Sequence, residues 1–188
     1  MATVYLFRHG QTEFNRDQKF TGWLQSDLTS TGINQAEYLA KLLKEKIINL
    51  AYTPNLTRCQ ETLKIILKLH PECAAPIIDD RILERNYGEL GGKYHQDIIN
   101  QFGQEQYDKW HRGWADRPPA GESYADVEVR IRSFIDGLRS KYQNLNTGIA
   151  ICGSSNSIRL FRKIMENASI EDTVSWTIPY DQYFEYTL

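Results

Sequence analysis

Arg8, His9 and Gly10 stand together directly after the short β-branched and aromatic run Thr3–Phe7. A neutral imidazole can attack phosphorus and form a covalent intermediate. An arginine beside it meets anionic oxygens with a planar fork of donors. Gly10 lets the backbone pass close to a ligand, and Thr12 and Asn15 add neutral donors. Taken alone, the segment reads equally well as a solvated loop holding a chance Arg-His pair.

Three further clusters carry comparable chemistry. Arg58, within Thr53–Thr62, falls in the first turn of a helix that follows a strand. Unpaired N–H groups and the helix dipole favour anions there, although an isolated arginine at such a position is more simply a surface charge. Glu84, within Leu83–Gly92, can act as a general acid toward a leaving oxygen. That role needs its protonated form near neutral pH, which burial favours and nearby arginines oppose. By itself this stretch is an ordinary charged loop. Ser154, Ser155 and Asn156, within Cys152–Arg159, again lie where a strand runs into a helix. Small polar side chains at that junction bind phosphate or cap the helix, and capping is the stronger local reading.

The elements that must position these residues follow from periodicity and punctuation. Thr3–Phe7 reads as a buried strand and 11–27 as a loop. Thr29 caps a helix with Ile33, Ala36, Ala40, Leu43 and Ile47 on one face. A second strand runs over 48–53 and ends at Pro54. Leu56, Cys59, Leu63, Ile66 and Leu67 mark a helix that stops near Leu69, because Pro71 disfavours helix before it. A short strand covers 76–80, a loop 81–93, and short helices over 94–117 cover a cleft. Ser123 with Asp126 opens a long helix whose face carries Val127, Ile131, Phe134, Ile135, Leu138 and Tyr142. A strand over 148–152, a helix of about three turns and an alternating strand over 183–188 complete the chain.

Strands alternating with helices predict an α/β, three-layer sandwich with a mostly parallel central sheet covered by helices on both faces. All 188 residues are expected to form one domain. The first cluster then lies at a strand's carboxyl end, where open α/β sheets bind ligands.

Composition narrows the function classes. A chain with 41% hydrophobic and 24% charged residues is an ordinary soluble globular sequence. A net charge of -2 leaves no overall basic surface for nucleic acid. Cys59, Cys73 and Cys152 form no C-x-x-C pair and read as reduced thiols. No stretch is apolar enough to cross a bilayer, and the N-terminal run is too short for a signal peptide, so the expected location is the cytoplasm. No metal is expected, since no His/Cys/Asp cluster shows ligand spacing. The aromatic tail from Tyr180 reads as an edge strand in preference to a contact in a homodimer.

In order and extent, the four clusters resemble the histidine phosphatase superfamily, in its phosphoglycerate-mutase-like branch. Phe20–Trp23, Leu28–Ala36 and Pro119–Ser123 look like the family as well. The resemblance implies a phosphorylated His9, with Arg8, Asn15 and Arg58 holding the phosphoryl oxygens. It implies that Glu84 donates a proton and then activates water, and that Thr21, Gly22 and Tyr87 lie beside the rest of the substrate. The implied activity is hydrolysis of a small phosphorylated metabolite through a phosphohistidine, with no cofactor. The alternative is a phosphoglycerate mutase primed by 2,3-bisphosphoglycerate, for which Lys93, Arg112 and Arg117 are candidate clamps for a second acid group. Chain length leans against the mutase.

One position departs from the family. Its fourth motif carries a second histidine, and Ser154 stands in that place here. Serine brings one hydrogen bond and no charge, and losing a transition-state donor costs on the order of 10²–10³ in rate. His70, His95 and His111 lie in no motif that would replace it. A weakened natural enzyme, a phosphate-binding or regulatory protein without turnover, and an engineered trapping variant all fit.

Overall fold

A computed structural model describes residues 1–188. In chain order the elements are β1 (Thr3–Arg8), α1 (Glu13–Arg16), α2 (Ser30–Leu43), β2 (Leu50–Thr53), α3 (Thr57–Leu67), β3 (Ile77–Ile78), α4 (His95–Phe102), α5 (Gln104–Arg112), α6 (Tyr124–Tyr142), β4 (Gly148–Gly153), α7 (Ser155–Glu166), α8 (Ile170–Ser175) and β5 (Tyr183–Thr187). Two 3-10 turns, Asp80–Ile82 and Gly88–Leu90, interrupt the stretch between β3 and α4.

The strands form one sheet in the order β3-β2-β4-β1-β5. β1, β4, β2 and β3 pair in parallel, and β5 runs antiparallel along the β1 edge. Side chains alternate across the sheet, and this alternation separates two cores. Val4, Leu6, Ile149 and Ile151 pack with α6 and α7 through Val127, Ile131, Phe134 and Phe161. Tyr5, Phe7, Ala150 and Cys152 pack with α2 and α3 through Leu39, Leu43, Leu63 and Ile66. Each fully buried side chain of this kind contributes roughly 1.5–3 kcal/mol. The predicted α/β sandwich with helices on both faces is therefore the architecture of the protein.

Local signals explain several element ends. Thr29 caps α2, its side chain accepting from the Gly32 N–H at 3.0 Å. Ser123 and Asp126 form a reciprocal capping box at the start of α6. Some expectations shift. α2 stops at Leu43, so Ile47 lies beyond it and is exposed, while Leu39 takes the buried place. The loop expected over 11–27 contains α1, and the six-residue α8 carries too short a period to be read from sequence. No helix is long and apolar enough to cross a membrane.

Candidate active site

His9 is the first residue past β1. Arg8 pairs with Gly153 of β4, and the His9 N–H donates to the Gly153 carbonyl at 3.0 Å. The two strand ends are thus side by side. Gly10 turns the chain against α2, where a Cβ would lie 2.2 Å from the Gly32 carbonyl oxygen; only glycine permits that approach. The imidazole is buried. Its Nδ1 faces the Gly10 carbonyl at 2.7 Å. A carbonyl only accepts, so Nδ1 carries the hydrogen and Nε2 carries the lone pair. Burial holds His9 well below its ordinary value of 6.5, and the Arg58 and Arg8 charges act in the same direction. At neutral pH the ring is neutral, with its lone pair on an unprotonated Nε2, as a nucleophile must be.

Arg58 lies in the first turn of α3 and is 1% exposed. Its Nε donates to His9 Nε2 at 3.2 Å, its Nη1 to the Leu24 carbonyl at 2.9 Å and its Nη2 to the Gly22 carbonyl at 2.7 Å. Gly22 aims its carbonyl this way from the left-handed region, at φ +53°. Arg8 donates through Nη1 to the Ile178 carbonyl at 2.8 Å and stacks on Tyr180, 3.9 Å from the ring centroid. Arg8 Nε and Thr21 Oγ1 are buried and have no hydrogen-bond partner in the protein. Such groups are costly unless a bound molecule satisfies them.

Glu84 reaches the site from a loop that Arg130 of α6 fastens down. Arg130 donates to the carbonyls of Arg81, Leu83 and Glu84 and pairs with Glu122. The Glu84 carboxylate accepts from the Arg85 N–H at 2.6 Å and from the Asn156 N–H at 3.2 and 3.3 Å. It therefore sits on the N-terminus of α7, where a helix favours negative charge.

These groups surround a cavity of about 260 Å³, lined also by Asn15, Thr21, Gly22, Tyr87, Ser155 and Asn156. Asn156 commits its side chain to protein partners: its amide donates to Tyr87 Oη, and its oxygen accepts from Tyr124 and Arg159. Arg159, Arg112 and Lys19 line the same space. None of these three, nor Arg8 or Arg58, forms an ion pair with a carboxylate. Glu84 is the one carboxylate among the lining residues. A strongly cationic, partly desolvated chamber of this kind binds a multiply charged anion.

Two expectations need correction. Thr12 does not line the cavity; it is fully buried as the N-cap of α1, and its N–H and hydroxyl both donate to Asn15 Oδ1. It orients Asn15 and is not itself a phosphate donor. Ser154 occupies the N-cap position of α7, where its N–H donates to Ser157 Oγ at 3.1 Å. It is fully buried and faces Arg58 Nη2 at 3.5 Å and Cys59 Sγ at 3.7 Å. It touches the back of the site and does not line the cavity.

The flanking candidates divide. Arg112 reaches the cavity, whereas Arg117 pairs with Asp126 and Lys93 is exposed away from it. His70 is buried against Glu72, remote from the site. Sequence reasoning assigned no role to Arg159, Lys19, His95 or His111, which all line the cavity. Arg159 carried a usable signal, since it follows Asn156 by three residues on α7 and so shares its face.

Comparison with known proteins agrees with this geometry. The chain matches the family model "Histidine phosphatase superfamily (branch 1)" over residues 4–184. It is 32% identical to a 2,3-bisphosphoglycerate-dependent phosphoglycerate mutase of Gloeobacter violaceus, over 96% of this chain and 83% of that protein. Among solved structures, the α-ribazole phosphatase of Shigella flexneri superposes with a TM-score of 0.85 at 25% identity, covering 97% of this chain and 89% of that one. The mycobacterial glucosyl-3-phosphoglycerate phosphatase superposes with a TM-score of 0.85 at 19% identity, covering 97% and 88%, and shares the fold. Matched over nearly its whole length, the chain belongs to the histidine phosphatase superfamily, a family of phosphatases and phosphoglycerate mutases.

Proposed function

We propose that the protein hydrolyses a small phosphomonoester through a phosphohistidine on His9. The observation that carries this reading is the tautomer. The Gly10 carbonyl holds the hydrogen on Nδ1, and the unprotonated Nε2 faces a cavity rich in unpaired cations. In the first step Nε2 attacks phosphorus, the ester P–O bond breaks, and Glu84, which enters this step protonated, gives its proton to the leaving oxygen. The Arg58 Nε–H, which donates to His9 Nε2 in the resting site, turns to a phosphoryl oxygen as the P–N bond forms. In the second step water attacks phosphorus, the P–N bond breaks, and Glu84 takes the proton back. Arg8 and Arg58 neutralise the phosphoryl oxygens throughout, and Thr21 Oγ1 supplies a neutral donor.

A second reading, phosphoglycerate mutation primed by 2,3-bisphosphoglycerate, is favoured by the names of the sequence relatives and by Arg112 on the cavity wall. Brief incubation with a labelled phosphomonoester, followed by alkaline quench, is expected to leave acid-labile label on the wild-type chain and none on His9→Ala. With 3-phosphoglycerate and bisphosphate, phosphate release exceeding isomerised product supports hydrolysis, and the reverse ratio supports mutation. No label from any phosphoester on a folded wild-type chain overturns both readings.

A further inference from the structure

A second cavity of about 270 Å³ adjoins the first and shares Arg8, Asn15, Lys19, His95 and His111 with it. It adds Gln18, Tyr107 and Tyr180. One wall is a cluster of rings carried by α4 and α5. His95 lies 5.4 Å from His111 and 5.8 Å from Tyr107, and Tyr107 lies 5.0 Å from His111, centroid to centroid. Phe20 backs His95 at 4.0 Å, and the Tyr107 hydroxyl bonds His95 Nδ1 at 3.0 Å, so the wall is braced. Tyr180 also lines the cavity, its ring packed on the Arg8 guanidinium.

The wall is uncharged. Burial, with Arg112 adding repulsion, takes His111 down to about 3, and burial lowers His95 as well. Lys19 has its ammonium over the Tyr94 ring at 4.5 Å. A cavity lined by three neutral aromatic rings and by a tyrosine favours a flat ring, through offset or edge-to-face contact. Arg8 and Lys19 line it too, Arg8 being the guanidinium that faces the phosphoryl group.

We propose that this second cavity is the leaving-group subsite and takes a planar ring, so that the substrate is the phosphomonoester of a ring-bearing alcohol. The proposal rests on His9 and its arginines holding the phosphoryl group in the first cavity. Stable phosphonates separate the two claims, because they bind without turnover. Calorimetry on the full chain compares benzylphosphonate with cyclohexylmethylphosphonate, of similar bulk but not flat, and with phosphonoacetate, which carries a second acid. Inorganic phosphate serves as the reference.

Benzylphosphonate is expected to bind at least fivefold more tightly than cyclohexylmethylphosphonate and more tightly than phosphonoacetate. Tyr107→Leu and, separately, Tyr180→Leu are expected to bring the first ratio below twofold; either variant suffices if the other fails to fold. Equal affinities for the flat and puckered rings, or tighter phosphonoacetate, overturn the subsite while leaving the phosphoryl site intact. Loss of all binding, inorganic phosphate included, overturns the reading of the first cavity and the subsite with it.

Discussion

β1 and β4 are parallel neighbours that end in register, with Arg8 opposite Gly153, yet they serve the site in different ways. The residue after β1 is His9, whose ring lines the cavity and whose two nitrogens both have assigned partners. The residue after β4 is Ser154, turned inward onto Arg58 and Cys59. The first strand end supplies the proposed nucleophile. The second supplies a helix start, where the Asn156 N–H holds the Glu84 carboxylate and the Ser154 N–H is taken up by Ser157 Oγ at 3.1 Å. Equivalent backbone geometry thus carries unequal chemistry, because the side chain at one position differs. The short Ser154 side chain is drawn to the nearest buried polar partners. Positive charge on the α7 side of the cavity comes instead from Arg159, one helical turn along.

The comparison can be broken at either strand end. His9→Ala removes the nucleophile and is expected to lower turnover on the order of 10⁴–10⁶-fold, read by steady-state phosphate release. A loss under tenfold in a folded protein would place the chemistry elsewhere. The opposite change is made at Ser154. Cys59 fills the adjoining space, so Ser154→His alone overpacks the site and is expected to cost about 1–3 kcal/mol in denaturant unfolding. Combined with Cys59→Ala, it gains room for the ring and is expected to raise turnover about 10²-fold, the usual worth of one transition-state donor. No gain in that double variant, with stability retained, means that position 154 does not complete the phosphoryl pocket.

The smallest effect concerns pH. His9 and His111 are held neutral in the fold, His9 well below 6.5 and His111 at about 3. As pH falls through 6.5, the unfolded chain takes up protons that the native imidazoles refuse. The unfolded state then binds more protons, so stability falls as pH falls. Thermal melts are expected to show a lower Tm at pH 5 than at pH 7, and His111→Asn is expected to shrink that difference. An unchanged difference would mean that His111 is protonated in the native state.

Much of the phosphoryl end was legible because it is built from contiguous motifs. Arg8-His9-Gly10 follows a strand whose hydrophobic run is unmistakable, and Arg58 follows another at a helix start. The leaving-group end was not legible. His95, Tyr107 and His111 show no motif, and their meeting depends on how α4 and α5 fold back over Phe20. Thr12 was misjudged for a related reason. A hydroxyl near a catalytic histidine looks like a ligand donor until a helix start beside it claims the hydroxyl as a cap.

The sequence by itself determined the alternation of strands and helices, the two-sided burial of the sheet, and the residue types available for phosphoryl transfer. These are properties of local period and side-chain chemistry, which neighbours along the chain already specify. Only the tertiary structure decided which nitrogen of His9 is unprotonated, which arginines share one chamber, and that Ser154 faces away from it. Those facts depend on contacts between segments far apart in sequence, and no local pattern encodes the direction in which a buried side chain turns.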